Sequence, residues 1–375
     1  SQYQLSDSAQ ETILNAYNAL FKGLAPKLVS QWTNTAYIHT SPLSNWGNDD
    51  FYNHGSQHYW GVWHGKDPMS NFATKIGRFN AEYGFQSFPE FSTLHAFAEL
   101  KDLSLNSSVM KHHQKSYVGN GMIQKHSDLL FGSTKDFNRF VYYSQLTQRY
   151  AVSSAVSGHR LDAPRCMGTL YWQLNDCWPA PTWSSIDYQG NWKALHYAMR
   201  DDYQPLAILL KTTEQGVASI FVKSDVMENQ VFSYQISILN TDGKRALSPL
   251  HVDHLENDTL SYQESKLIWS EIPKQEKWIR VELSNGVTRD FLIGPSPKKR
   301  EVKIELSVKN IDESTKTAEI WVKNDAFCAD FWLFSQKSEI SFDRNFIHLL
   351  PGDHLIRVHY SGEIPALSDF SFLYH

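Results

Sequence analysis

Three cysteines in 375 residues are too few for a disulfide framework, although Cys166 and Cys177 form one candidate pair. Long apolar runs are missing as well: nothing approaches about 18 consecutive apolar residues. The first residues lack the basic, apolar and small-residue succession of a signal peptide. The chain therefore reads as soluble, and periplasmic, secreted and lysosome-like compartments all fit it. Positive charge is not in surplus, since 35 Lys and Arg stand against 40 Asp and Glu for a net charge of -5. Nucleic-acid binding by phosphate neutralisation is thus disfavoured. There is no G-x-G-x-x-G after a strand-like run, no phosphate-loop lysine and no G-x-S-x-G elbow. His54, His58, His64 and the pair His112-His113 lack the flanking pattern of a closed zinc site, and His54-Gly-Ser-Gln-His58 has no glutamate of the metallopeptidase kind. No metal or other cofactor is expected.

What the chain does have is aromatic mass: 12 Trp, 18 Tyr and 21 Phe, with an apolar fraction of 41%. That excludes disorder for the bulk of it, and the length implies two or three domains. Eight of the twelve tryptophans precede residue 205, where the character of the sequence also changes. Before that point, Ile13, Leu14, Tyr17, Leu20, Phe21, Leu24 and Leu28 recur at threes and fours, predicting an amphipathic helix from Glu11 to about Leu28 that Pro26 kinks or ends. A short strand is expected at Thr35 to Ser41, followed by an aromatic loop from Ser41 to Asp50. Buried strands are expected at Arg78 to Phe85 and Met167 to Asp176, with helices at Ile123 to Leu130, Lys135 to Val156 and Trp192 to about Arg200. Strand, helices, strand is the rhythm of a parallel α/β architecture.

Beyond Pro205 the helical period disappears. Strands are expected at Ala207 to Leu210, Val217 to Lys223, Val231 to Leu239, Leu267 to Ser270, Lys277 to Leu283 and Thr288 to Ile293, with a turn at Asn240-Thr-Asp-Gly243. A linker at Gly294 to Arg300 leads to a second set at Val302 to Leu306, Ala318 to Lys323, Phe331 to Phe334, Phe346 to Leu350 and Leu355 to Tyr360. Two small antiparallel β-sandwiches account for this pattern. The expected division is 1–205, 206–299 and 300–375.

Among residues that carry chemistry, Glu82 stands out because its strand is otherwise apolar, and a buried carboxylate must be protonated, paired or used. Arg78, four residues earlier, falls on the same side by strand alternation, as does Asn80, so a structural Arg78–Glu82 pair competes with a catalytic Glu82. Two tryptophan clusters accompany it, His58-Tyr-Trp-Gly-Val-Trp-His-Gly65 with Trp46 upstream, and Trp172-Gln-Leu-Asn-Asp-Cys-Trp-Pro179. Indole faces beside amides and carboxylates suit a sugar ring, whereas core packing accounts equally well for any single tryptophan.

Taken together, Thr40-Ser-Pro-Leu-Ser-Asn-Trp46, the His58 and Trp172 segments, Arg78-Phe-Asn-Ala-Glu-Tyr-Gly-Phe-Gln-Ser-Phe-Pro89, Trp183-Ser-Ser-Ile-Asp187 and Trp192-Lys-Ala-Leu-His-Tyr197 resemble the C-terminal portion of β-mannosidases of glycoside hydrolase family 2. The resemblance implies the C-terminal half of a (β/α)8 TIM barrel followed by two immunoglobulin-like β-sandwiches. It implies a retaining glycosidase with Glu82 as nucleophile. Trp46, Trp60, Trp63, Trp172 and Tyr83 would bind the sugar, and Arg78 and Asn80 would support Glu82. The family's Asn-Glu acid/base motif is absent from the first 205 residues, and its expected place is just before Ser1. Because retention needs two carboxyl groups roughly 5 to 5.5 Å apart, this chain alone is expected to be inactive. The missing N-terminal half of the protein, or self-association, would cover its open edges. A related β-galactosidase or β-glucuronidase, a non-catalytic carbohydrate-binding module and a purely structural assembly remain as alternatives.

Overall fold

The computed structural model describes residues 5–47, 52–240, 250–294, 301–337 and 339–375. The expected turn at 241–243, most of the expected linker at 294–300 and the end of the loop at 48–50 lie outside the described residues. No described helix is long and apolar enough to cross a membrane.

The chain begins with α1 (Asp7–Tyr17), whose first turn is capped by Ser6 Oγ accepting from the Ala9 amide. A π-helical stretch, Asn18–Leu24, leads directly into α2 (Ala25–Trp32). Pro26 thus neither ends nor breaks the helical run. It stands in the first turn of α2, where its missing N–H is not needed. No residue of α1, the π stretch or α2 is buried, and Ile13 and Leu14 are each 56% exposed. The strand expected at Thr35 to Ser41 does not form. Pro42 can donate nothing to a ladder, so pairing starts one residue later, with Leu43 N–H donating to Ser56 O, and the first strand is β1 (Ser44–Asn45).

Three parallel strands follow one another in space as in sequence: β1, β2 (Ser56–Tyr59) and β3 (Phe79–Tyr83). The run expected as a strand at Met167 to Asp176 lies beside β3 but is regular only in part. Met167 and Trp172 amides donate to the carbonyls of Arg78 and Tyr83, and Gly168 O and the Leu170 amide both bond Asn80, yet a single residue pair, Asn80 and Thr169, forms a bridge. Past Trp172 the chain leaves the sheet, because Gln173 and Leu174 bond instead to Trp183, Ser185 and Ile186.

The helices α3 (Phe91–Phe97), α4 (Ser108–His113), α5 (Gly119–Phe131), α6 (Phe137–Leu161) and α7 (Ala194–Asp202) pack around this sheet. Asp136 caps α6, accepting from the Asn138 and Arg139 amides. The apolar stripe of α6, from Phe140 and Val141 through Leu146 to Val152 and Val156, is buried in one core with Phe85, Phe88, Leu94 and Ile123.

Residues 206–293 form two antiparallel sheets over a second core. One contains β4 (Leu206–Thr212), β5 (Ala218–Ser224) and β8 (Ser265–Glu271). The other, in the order β10, β9, β6, β7, contains β6 (Gln230–Asn240), β7 (Leu250–Leu260), β9 (Lys277–Leu283) and β10 (Thr288–Ile293). Ile208, Ile220 and Val222 of the first meet Ile236, Ile279 and Val281 of the second. The third region repeats this plan. β11 (Ile304–Asp312), β12 (Thr317–Asn324), β16 (Gly352–Tyr360) and β14 (Ile340–Phe342) face β15 (Ile347–Leu349), β13 (Cys328–Ser335) and β17 (Phe370–Leu373) over a third core. Beyond Pro205, three strands were not expected from the sequence: β7, β14 and β17. β7 is a sheet edge with polar Asp253, His254, Glu256 and Asp258 along it, and β14 and β17 are too short to show a period.

β13 is buried along its whole length because it is sandwiched. Phe331 and Leu333 point into the third core, while Trp332 and Phe334 join the first, where Trp332 stacks on Phe91 at 5.1 Å. Tyr142 OH donates to Asp330 O, and Arg149 of α6 pairs with the Asp330 carboxylate. The second region is pinned to the helices by Arg160–Asp225 and Arg289–Asp202 pairs at 2.7 Å each.

Candidate active site

Glu82 lies near the carboxyl end of β3, and its position depends on a register break. Opposite Asn80 and Glu82 the partner strand supplies consecutive residues, Gln57 and His58, so Ala81 is left unpaired. The irregularity sets the His58 ring against the Glu82 carboxylate, Nδ1 to Oε2 at 3.2 Å. Trp60 Nε1 donates to the same oxygen at 3.3 Å. His58 Nε2 lies 3.3 Å from Ser41 Oγ, which in turn is 2.9 Å from Ser56 Oγ.

Burial lowers the pKa of His58 and the Glu82 charge works against that shift. The neutral ring with its proton on Nδ1 satisfies both contacts: Nδ1–H donates to the carboxylate and Nε2 accepts from the Ser41 hydroxyl. Glu82 is therefore held as an acceptor with its side chain 29% exposed, reachable from outside yet fixed in direction.

The expected Arg78–Glu82 pair is not formed. Arg78 is exposed and precedes β3, so strand alternation does not carry through it, and Glu82 is partnered by His58 and Trp60 instead. Asn80 is fully buried and points elsewhere. It accepts from the Gly77 amide and donates to Gly77 O and Cys166 Sγ, tying the start of β3 to residue 166. Tyr83 is also fully buried, with its hydroxyl 2.6 Å from Thr169 Oγ1 and its ring edge-on to His159. It lies in the first core and presents no surface to the outside. Trp63 has no exposed surface; its Nε1 donates to Ser116 Oγ and its ring packs edge-on against Phe85 and Trp183. Its place is the core.

Trp46, Trp60 and Trp172 are accessible. Trp46 lies over Gly65, where a Cβ would come within 2.7 Å of the indole, so glycine is needed for the ring to seat. Trp60 packs edge-on to Trp183 at 6.0 Å. Trp172 is 43% exposed and its amide donates to Tyr83 O, next to Glu82. Gly84 makes this approach possible, since a Cβ there would stand 2.2 Å from the Trp172 carbonyl oxygen.

Three contributors escaped sequence reading in this role. His58 was named at the head of a tryptophan cluster and as a metal candidate but not as a partner of Glu82, Trp183 only as part of a resemblance, and Tyr117 not at all. Tyr117 is 82% exposed and stacks on His64 at 5.2 Å, extending the aromatic row that starts at Trp60. The loop carrying Trp172 and Trp183 is braced from within by Asp176, which accepts from Thr182 Oγ1, Ser184 Oγ and Gln173 Nε2. Lys193 lies fully buried beneath it, donating to Thr182 O, and burial lowers its pKa to about 8. Among the described residues no group of three or more His, Cys, Asp or Glu is placed to hold a metal. The cysteines are free, Cys166 buried and Cys177 exposed, so the candidate Cys166–Cys177 pair is not formed.

No family model matches the chain. It is 30% identical over 232 residues to "Beta-mannosidase A" of Aspergillus fumigatus, a match covering 56% of this chain and 24% of that protein. It is 33% identical over 197 residues to "Beta-mannosidase B" of Emericella nidulans, covering 50% and 23%. Among solved structures, the β-D-mannosidase of Dictyoglomus thermophilum superposes with a TM-score of 0.77 at 21% identity, over 96% of this chain and 45% of that one. The exo-chitosanase CsxA of Amycolatopsis orientalis gives 0.59 at 14% identity, over 78% and 42%. The chain is thus a homologue of β-mannosidases that shares its fold with part of one, and its match spans about a quarter of the length of the curated relatives.

Proposed function

We propose that the full protein is a retaining β-mannosidase of glycoside hydrolase family 2 and that this chain supplies its nucleophile and part of its sugar-binding wall. The observation that carries the reading is the Glu82 carboxylate, aimed by His58 and Trp60 on a strand whose next residue, Tyr83, accepts from the amide of the exposed Trp172, in a chain similar to β-mannosidases. Glu82 attacks C1 of a terminal β-mannoside, and the C1–O bond to the leaving group breaks as a second carboxylic acid protonates that oxygen. Water, deprotonated by the same second group, then attacks C1 and frees Glu82 and mannose. Trp46, Trp60 and Trp172 offer apolar faces to the ring. Tyr83 and Asn80 hold the strand beneath.

In this reading residues 1–205 are the C-terminal half of a (β/α)8 barrel, and 206–299 and 300–375 are two immunoglobulin-like sandwiches. The acid/base glutamate comes from the remainder of the same protein. Two features support that partner. The apolar residues of α1, the π stretch and α2 are exposed, including Leu24 at 51% and Leu28 at 46%, and Leu170 beside β3 is 54% exposed. The matched mannosidase structure is also more than twice as long as its overlap with this chain.

The test is hydrolysis of 4-nitrophenyl β-D-mannoside by the full-length protein and by its Glu82→Ala variant. Loss of roughly a thousandfold or more in kcat, with azide restoring turnover as α-mannosyl azide, is the expected result. Full activity in Glu82→Ala, or a preference for β-glucuronides, would overturn it. The 375 residues alone should be inactive and regain activity on mixing with the N-terminal half.

A further inference from the structure

Trp183, at the end of the loop that starts at Gln173, is gripped through the residues on either side of it. Asp176 accepts from Thr182 Oγ1 at 2.7 Å and from Ser184 Oγ at 2.6 Å. From beneath, Lys193 Nζ donates to the Thr182 carbonyl at 3.3 Å. The Trp183 ring lies edge-on to Trp60, whose Nε1 donates to the Glu82 carboxylate. Contacts thus run without a gap from Lys193 to the carboxylate of the site.

Lys193 is the member of this chain of contacts that packing does not explain. It is fully buried, and a buried ammonium is costly unless charge and hydrogen bonds compensate it; an apolar side chain of similar length avoids that cost. Three carboxyl groups act on it: Asp176 from the loop, Asp187 from the segment before α7 and Glu90 from the segment before α3. The long helix α6 contributes the neutral Gln145, whose Oε1 accepts from the Ala194 amide. Two of the three acids are provided for without a cation. Asp187 accepts from the Glu90, Gln189 and Asn191 amides and from Thr93 Oγ1. Burial, with the Asp187 charge adding to it, pushes Glu90 well above the usual carboxylate range and so toward its neutral form. Asp176 remains, and its charge opposes the effect of burial on Lys193 more than that of Asp187 or Glu90.

We propose that Lys193 is a positioning residue of the Glu82 site: its ammonium fixes Asp176 and the Thr182 carbonyl, these fix Trp183, and Trp183 backs the Trp60 indole that holds Glu82. For its catalytic consequence the inference rests on Glu82 being the nucleophile; for its structural one it does not. Burial lowers Lys193 to about 8, below its unfolded value. The unfolded chain therefore binds the proton more tightly, and the contribution of this group to stability rises, not falls, as pH passes upward through 8. Losing the charge disturbs the loop without unfolding the chain, which separates positioning from a purely structural role.

Fluorine NMR of this chain labelled with 5-fluorotryptophan tests it, with the exposed Cys177 replaced by Ser so that no thiol in the loop titrates. Trp183→Phe and Trp278→Phe identify two resonances, the second from an indole buried in a separate cluster and serving as control. Between pH 7 and 9.5 the Trp183 resonance should move with a midpoint near about 8 while that of Trp278 stays. The movement should vanish in Lys193→Met. Its midpoint should fall in Asp176→Asn, which decides the matter if Lys193→Met does not fold. In the full-length protein Lys193→Met should raise KM for 4-nitrophenyl β-D-mannoside about tenfold, the worth of one aromatic contact, and lower kcat less than that. A stationary Trp183 resonance, a movement that survives in Lys193→Met, a midpoint unchanged in Asp176→Asn or an unchanged KM overturns the proposal. Failure of the Glu82 reading is registered separately, by turnover of Glu82→Ala, and leaves the fluorine measurement standing.

Discussion

Replacing Glu82 by Gln should lower the pKa of His58 further, because the carboxylate is the influence that opposes burial there. At the 3.2 Å separation of Nδ1 and Oε2, two unit charges interact by about 1.3 kcal/mol at the dielectric constant of water and about 5 kcal/mol at an effective value of 20. The side chains are 16% and 29% exposed, so solvent screening places the effect in the lower part of that range. The His58 midpoint should therefore fall in Glu82→Gln, the carboxylate that raises it having been removed. Long-range ¹⁵N–¹H correlation spectra of the histidine-labelled chain, followed from pH 8 downwards, report both the midpoint and the tautomer. The wild-type ring should carry its neutral proton on Nδ1. A rise or no change in the His58 midpoint, or an Nε2–H tautomer in the wild type, would show that the carboxylate and imidazole are not coupled as the geometry states.

Burial also lowers His126 to about 4 and His159 to about 3. Each binds fewer protons folded than unfolded below about pH 6.5, so its contribution is fully present above that pH and is lost as pH falls, by about 1.4 kcal/mol per unit. Urea unfolding between pH 7 and 4 should therefore show a shallower acid decline in His126→Gln and His159→Gln than in the wild type, and parallel curves would refute this. Trp63→Ala should cost about 3–5 kcal/mol in the same assay, since it empties a fully buried site and strands Ser116. Gly84→Ala should push the Trp172 carbonyl and the Trp183 ring outward, destabilising by about 1–3 kcal/mol. In the full-length enzyme it should raise KM more than Trp63→Phe does.

Legibility varied with the locality of the signal. The helical stripe of α6 and the alternation of β5, β9 and β12 are set by neighbouring residues, and their positions were readable within a few residues. The paired sheets over the second and third cores follow from that same alternation. Glu82 was legible because an acid in an apolar strand is conspicuous, and the accessible indoles Trp46, Trp60 and Trp172 because they cluster around glycines. Trp63 and Tyr83 carry the same local signature as these, and only packing separates them: one is enclosed by Phe85, Trp183 and Ser116, the other by Thr169 and His159.

By itself, then, the sequence determined the alternation of helix and strand, the change to all-β structure near Pro205 and the prominence of one carboxylate, Glu82, because each rests on periodicity or on the cost of placing an acid in an apolar strand. Only the tertiary structure decided who holds that carboxylate. Strand alternation points to Arg78, but an unpaired Ala81 between two parallel strands brings His58 to Glu82 instead, and Ser41 to His58 from 17 residues away. It also decided that β13 belongs to two cores at once, with Trp332 turned toward the helices and Phe331 away from them. Registers, bulges and docking faces are relations between distant segments, and a local pattern of residues does not contain them.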